Sequence, residues 1–422
     1  VRTRLILSSH DFTGRPADLT RRILAMQAEP ACAVVKVAYR ARSIRDNLEL
    51  FDILSERQKP TIALGMGEFG LMSRVLAPKF GGFLTFASLR DESATAPGQP
   101  TIDDLLGMYR FRSIGKDTRV YGVIGWPVTQ SMSPLIHNAG FAEIEWDGVY
   151  VPMPVEGSYE SFKATMLSLI ESRGLKFDGA SVTIPHKEHL GRFSCEFNPH
   201  DESNHTVLIA GNGPIAQNTI EFDGFAGDTP LAETENTDAD AIAELLQESL
   251  DGLHGKKIAI IGAGGVAMSA ALHPLVCGAE VAVVNRSVDR AKQLVHNVTG
   301  YLGASMNGSI RMAPLDGPVI TADVYINCTP VGMAGGPDPD GLSIPIPDMP
   351  ALPPETVFFD TVYNPIETPM LKAARERGYR TIDGVQMFVR QAAAQFELWT
   401  GHPAPTELFD RLVRERLDSK TE

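Results

Sequence analysis

Short apolar runs recur along this chain with room for one helix between each pair. Within residues 1–115, LILSSHD, CAVVKVAYR, PTIALGM and GGFLTFASL read as strands, each followed by an amphipathic stretch such as SIRDNLELFDILSERQ. Four βα units of this kind predict a parallel sheet whose strand-end polar residues face one rim, as in a barrel. A closed barrel needs eight units, about 250 residues, so half a barrel is expected. After a basic link at residues 112–119, VYGVIGWPV opens a second α/β region that runs to about residue 240. GKKIAIIGAGGVAMSAALHPLVCGAEVAVVNRS then has the spacing of a dinucleotide-type βαβ unit, continued by DVYINCT and TVFFDTVY. The expected class is α/β: a four-unit partial TIM-type barrel (1–115), an α/β domain (118–240) and a Rossmann-type domain (241–383). Helices over 384–420 are expected to fold back onto the middle domain, because the Rossmann unit is complete without them. The Pro-rich stretch 335–354 reads as a surface connection.

Composition narrows the function classes. At 422 residues the chain is too long for one ordinary core, while 43% hydrophobic and 21% charged residues describe a folded globular protein. A net charge of -14 argues against nucleic acid and anionic membranes as partners. The run from Ile258 to Val284 is interrupted by four glycines, His273, Pro274 and Glu280, so it reads as strand, turn and helix rather than a span. Cys32, Cys195, Cys277 and Cys328 form neither CxxC pairs nor a histidine-rich cluster, which points to a reduced, cytoplasmic compartment without a metal centre. The chain opens at Val1 directly into LILSS with no leader, and that start reads as a truncated or alternatively initiated chain.

In GAGGVA, residues Gly262, Ala263, Gly264, Gly265, Val266 and Ala267, the first glycine permits the tight turn and the second lets backbone approach a pyrophosphate. Ala267 stands where the pattern accepts Gly or Ala. The next strand ends in Asn285, Arg286 and Ser287 rather than in the acid that would accept from an NAD ribose hydroxyl. Arg286, with Arg290 one turn on, offers cations for a 2′-phosphate, which favours NADP; a solvated helix start is the other reading.

Ser131 and Ser133 can aim two hydroxyls the same way if extended, although Pro134 makes Ser133 equally readable as an N-cap. His137 reads as a packing residue. Lys187 follows SVTIPH at a strand end, and Asp238 lies in ENTD before a helical pattern. Side by side they would pass the proton that accompanies hydride transfer; separately they read as a strand-end charge and an N-cap.

Taken together, GWPVTQSMSPLIHN, SVTIPHKE, QNT, ENTD, GAGGVA, NRS, INCTPVGM, DTVYNP and GVQMFVRQAAAQFELWTG resemble the shikimate dehydrogenase family from about Thr118 to the C-terminus. The resemblance implies NADP-dependent, reversible reduction of 3-dehydroshikimate to shikimate. It implies that Ser131, Ser133, Thr183, Asn218, Tyr363 and Gln391 hold the substrate and that Lys187 and Asp238 form the acid/base pair. Thr329, Pro330, Val331, Gly332, Met333 and Gly384 would lie by the cofactor, with Asn285, Arg286, Ser287 and Arg290 around its adenosine phosphate. The chain departs from the family at Ile215, Thr234 and Ala241, which stand at usual glycine positions, and at Ser181, where many members carry Asn.

His10, Lys36, Arg74 and Gln99 fall at strand ends or the loops after them, and a lysine inside VVKVA would lose basicity by burial and become a nucleophile. This segment resembles the second half of a class I dehydroquinate dehydratase. That resemblance implies a Schiff-base Lys36, a proton-moving His10 and substrate contacts from Arg74, Thr95 and Gln99. Four strands do not close a barrel, so the expectation is a competent dehydrogenase and a poor or inactive dehydratase, unless half barrels pair in a homodimer. The rival readings are an NAD-dependent quinate or shikimate dehydrogenase and a metabolite-sensing regulator.

Overall fold

The computed structural model describes residues 4–90, 98–128, 130–197, 208–211, 216–313, 320–346 and 349–419. The chain divides into two compact units, Val1–His186 with Ile220–Leu231 and Lys187–Thr219 with Ala232–Glu422.

In the first unit, β1 (Leu5–Asp11), β2 (Cys32–Arg40) and β3 (Thr61–Met66) form a parallel sheet in that order. Helices α1 (Leu19–Ala28) and α2 (Asp46–Ser55) cover one face. Strand alternation decides which face: Val35, Val37 and Tyr39 pack with Leu19, Ile23, Leu50 and Leu54, whereas Val34 packs with Ile62 and Leu64 on the other side. By strand alternation Lys36 shares that second side. The short helix α3 (Leu71–Val75) comes next.

The expected fourth strand, GGFLTFASL, does not form. After Gly81 at φ +71 the chain makes one ladder-like bond, Phe83 N–H to Thr61 O at 2.8 Å, and an isolated bridge at Ser88. A strand here would be an edge strand opening on Gly-Gly, which adds little strand preference. Phe83 (53% exposed) and Leu89 (71% exposed) are left in solvent, as are Leu5 and Ile6 on β1.

The barrel-like segment is tied to the α/β region beyond it. Lys79, 4% exposed, donates to the carbonyls of Lys116 at 2.9 Å and Thr118 at 2.7 Å, and Phe69 stacks on Trp126 at 5.4 Å. Beyond this tie, β4 (Arg119–Gly125) runs parallel between β5 (Gly148–Pro154) and β6 (Phe177–Val182), with α4 (Ser133–Glu143) and α5 (Tyr159–Glu171) in the connections. Next, in the second unit, come α6 (Lys187–Glu196) and β7 (Leu208–Gly211); β8 (Thr219–Ala226) and β9 (Thr229–Glu235) are joined at Gly227 and Asp228, and their residues 220–231 belong to the first unit.

The second unit contains a six-stranded parallel sheet. Its strands are β10 (Lys257–Ile261), β11 (Glu280–Val284), β12 (Ser309–Ala313), β13 (Val324–Asn327), β14 (Val357–Asp360) and β15 (Arg380–Ile382), in the order β12-β11-β10-β13-β14-β15. This is the doubly wound order, which reverses between β10 and β13. Alternation again sorts the faces: Ile258 and Ile260 pack under α7 (Thr237–Ser249) and α8 (Gly265–Val276), while Ala259 and Ile261 face Met370 and Leu371 of α10 (Pro369–Glu376). The chain also carries α9 (Val288–Leu302), α11 (Gly384–Thr400) and α12 (Thr406–Asp418). Helix α11 packs along α7 within the second unit.

Candidate active site

Helix capping determines which groups are free for chemistry in the second unit. Asn236, not Asp238, caps α7, its side chain accepting from Ala239 N–H at 3.1 Å. Asp238 is thereby left in the first turn, where the helix N-terminus favours a carboxylate. Lys187 opens α6 rather than ending a strand, a correction to the expected placement. The two side chains form an ion pair between Nζ and Oδ2 and are 13% and 5% exposed. Such a pair can orient a hydroxyl and exchange a proton with it.

Asn218 stands beside this helix start, 2% exposed. Its Oδ1 accepts from Thr237 N–H at 2.8 Å, and its Nδ2 donates to the Thr237 hydroxyl at 2.9 Å. Gln391, from the middle of α11, accepts from Asn218 Nδ2 at 3.4 Å, and Tyr363 stacks on Phe388 of the same helix at 4.8 Å. Gly384 begins α11 because a Cβ there would meet the Val362 carbonyl oxygen at 2.3 Å. Gln395, unforeseen in the sequence, is wholly buried and donates to the Thr219 hydroxyl at 2.9 Å. Its spacing one turn after Gln391 was the available signal.

In the first unit, Ser131 and Ser133 follow β4 and Thr183 follows β6, so all three lie at the carboxyl ends of adjacent parallel strands. Ser133 is not the cap of α4: Met132 occupies that position, and Ser131 Oγ accepts from Ser133 N–H at 3.2 Å. His137 is fully buried and stacked on Tyr150 at 4.5 Å, a packing role.

The glycine-rich turn has a dinucleotide-binding shape. Gly262 adopts φ +118, and a Cβ there would strike the Cys328 carbonyl oxygen at 2.7 Å. Gly264 is the extended N-cap residue of α8 with open space where its Cβ would stand, so backbone N–H groups are accessible to an anion. Ala267 is buried against the sheet. A Cβ on Gly265 would touch Lys187 Cβ at 3.1 Å, which brings the turn against the lysine–aspartate pair. Ser287 caps α9, and Asn285 Nδ2 donates to its carbonyl at 2.9 Å. Arg286 and Arg290 are exposed and make no ion pair among the described residues, leaving both free for a phosphate. Thr329, Val331, buried Gly332 and exposed Met333 form the loop after β13, and these residues together fit a dinucleotide phosphate.

In the N-terminal segment, half-buried Lys36 has its Nζ over the Phe86 ring at 4.2 Å. Burial and Arg74 pull its pKa below the ordinary lysine value. Arg74 is 3% exposed, and its Nε has no hydrogen-bond partner among the described residues. His10 is exposed, with its pKa lowered by burial and by Lys36. Gln99 is half-buried, and Thr95 lies outside the described residues.

A dinucleotide turn set against a lysine–aspartate pair is the arrangement of a dinucleotide-dependent dehydrogenase. Comparison with known proteins agrees. Family models match residues 1–116 (Type I 3-dehydroquinase), 123–202 (Shikimate dehydrogenase substrate binding domain), 244–330 (Shikimate / quinate 5-dehydrogenase) and 384–414 (Shikimate 5'-dehydrogenase C-terminal domain). A shikimate dehydrogenase (NADP(+)) of Methanocella arvoryzae is 35% identical over 301 residues, covering 71% of this chain and 99% of the relative. A shikimate dehydrogenase solved in complex with NADP+ is 29% identical, with a TM-score of 0.58, covering 71% of this chain and 96% of that one. The chain belongs to the shikimate dehydrogenase family. Over 97% of its length it is also 37% identical to the chloroplastic bifunctional 3-dehydroquinate dehydratase/shikimate dehydrogenase of Arabidopsis thaliana, of which it spans 65%.

Proposed function

We propose that the chain catalyses the NADP-dependent, reversible reduction of 3-dehydroshikimate to shikimate. The observation that carries the reading is the buried Lys187–Asp238 pair lying against the glycine-rich turn. NADP, when bound, supplies or accepts the hydride. The rest falls to this chain's own side chains: Lys187 and Asp238 exchange the proton of the reacting hydroxyl, while Ser131, Ser133, Thr183, Asn218, Tyr363 and Gln391 hold the carboxylate and ring hydroxyls. The unpaired Arg286 and Arg290 receive the 2′-phosphate. In domain terms, 118–240 with 384–420 forms the shikimate-binding part, 241–383 the nucleotide part and 1–115 the dehydratase-like part. Four free cysteines support a reducing, cytoplasmic setting, and no helix among the described residues is long and apolar enough to cross a membrane.

In this reading the dehydratase-like segment does not act alone: among the described residues Lys36 stands on a three-stranded sheet, with no carboxylate partner. A second reading, in which half barrels pair between two copies and restore dehydration, is favoured by the exposed Leu5, Ile6, Phe83 and Leu89. Sedimentation of the full chain distinguishes them: a monomer at micromolar concentration excludes the paired form. The dehydrogenase reading is tested by following NADPH formation from shikimate, with NADP and NAD in parallel. Faster turnover with NAD would favour the rival NAD-dependent enzyme.

A further inference from the structure

Asp360 ends β14 with no exposed surface, and its carboxylate receives three donors: Asn327 Nδ2 at 2.9 Å, Val362 N–H at 3.0 Å and the Thr368 hydroxyl at 2.6 Å. Burial outweighs those donors and pushes its pKa up to about 6. A carboxylate kept dry at a strand end costs stability even when hydrogen-bonded. The reacting pair, Lys187 and Asp238, does not use it.

Its neighbour Asn327 shows what it does. Nδ2 donates both to Asp360 and to the Val331 carbonyl at 3.2 Å, while Oδ1 accepts the Thr329 N–H at 3.0 Å and the Thr329 hydroxyl at 2.7 Å. All four hydrogen-bonding positions of the amide are therefore used, and they fix the chain from 329 to 331. An amide can be turned over, exchanging its oxygen and nitrogen. An ionised carboxylate only accepts, so Asp360 determines which end of Asn327 faces Thr329. The loop so held leads into Gly332 at φ +85 and begins at Cys328, whose carbonyl oxygen closes on Gly262 of the glycine-rich turn.

We infer that Asp360 is a positioning residue: through the Asn327 amide it holds the 329–333 loop in the shape that receives the dinucleotide. This rests on the proposed NADP reading, in which that loop lies by the cofactor. Asp360 touches neither cofactor nor substrate. It acts by removing the alternative amide orientation, in which Thr329 N–H would face a donor.

The test is fluorescence titration of the full chain with NADPH in the absence of shikimate, alongside steady-state kinetics. Asp360→Ala is expected to weaken NADPH binding about tenfold and to raise the KM for NADP in step, with kcat at saturation within about twofold. Asp360→Asn should restore most of the affinity, since Val362 N–H still orients its oxygen. Asn327→Ala and the Asp360→Ala/Asn327→Ala double variant should each lose no more than Asp360→Ala alone. Unchanged NADPH affinity in a folded Asp360→Ala, or additive losses in the double variant, overturns the inference. Should Asp360→Ala fail to fold, Asn327→Ala reads the same link from its other end, and unchanged affinity there overturns it too. A wild-type chain that binds NADH instead overturns the cofactor reading alone, and the same variants are then compared with NADH. Binding of neither overturns both.

Discussion

Lys36 and Lys187 are both lysines drawn out of water in α/β surroundings, but the two sites differ in what accompanies them. Lys187 has a carboxylate partner, Asp238, and the pair lies against a glycine-rich turn in a unit that also carries Asn218, Tyr363 and Gln391. Lys36 has an aromatic ring, a buried arginine and an exposed histidine around it, and no ion-pair partner among the described residues. Depressed basicity suits Lys36 to attack a carbonyl. A nucleophile needs walls as well, and β1-β2-β3 provides part of one. A lysine in a suitable electrostatic setting is thus one part of a site, and the proposed activity rests on the lysine whose partners are positioned around it.

The largest effect expected from breaking this contrast is at Lys187. Lys187→Ala should lower kcat for shikimate oxidation by about 10²–10⁴, the range for removing a positioned acid/base group, as read from initial rates of NADPH formation. Undiminished turnover would remove Lys187 from the chemistry. Next comes the cofactor. Arg286→Ala should raise the KM for NADP by about tenfold or more and leave that for NAD nearly unchanged, since only the 2′-phosphate loses a partner.

A smaller effect concerns the tie, within the first unit, between the barrel-like segment and the α/β region that follows it. Burial, with Lys176 adding to it, lowers the pKa of Lys79 to about 8 from 10.5. Between those values the unfolded chain binds the extra proton, so stability should rise with pH across that window. The rise is on the order of 2–3 kcal/mol at most. In Lys79→Met the rise should be absent, which chemical denaturation at pH 7.5 and 10, compared with wild type, will read. The smallest effect is at Lys36: Lys36→Ala should leave the shikimate oxidation rate within about twofold of wild type, because surface or remote changes add independently.

Much of the nucleotide region was legible in advance because its signals are local. GAGGVA needs no partner to be read, and Gly262 and Gly264 adopt the turn that the spacing predicts. Of the proposed substrate and acid/base positions, Thr183, Asn218, Tyr363 and Gln391 came only with the resemblance to a family, while Ser131, Ser133, Lys187 and Asp238 could be placed near helix starts and strand ends from the chain's own pattern. Even there, the cap of α7 lay at Asn236, a competition between two neighbouring good capping residues that spacing alone leaves open. The fourth strand of the N-terminal segment failed for a different reason. GGFLTFASL is apolar enough for a strand, yet it opens on two glycines that add little strand preference, and Phe83 and Leu89 are left without cover. Asp360 was illegible as a functional residue because its meaning lies in Asn327 and Thr368, 33 and 8 residues away. The same holds for Gln395, whose partner Thr219 is 176 residues distant.

The most direct test of the contrast between the two lysine sites is NADPH consumption by the purified 422-residue chain, offered 3-dehydroshikimate in one cuvette and 3-dehydroquinate in the other. The account predicts rapid loss of absorbance with 3-dehydroshikimate, and no 3-dehydroshikimate formed from 3-dehydroquinate when NADPH is left out, a control that separates dehydration from direct reduction of the 3-dehydroquinate ketone. Formation of 3-dehydroshikimate from 3-dehydroquinate without NADPH would contradict it, by showing that the Lys36 site works as it stands.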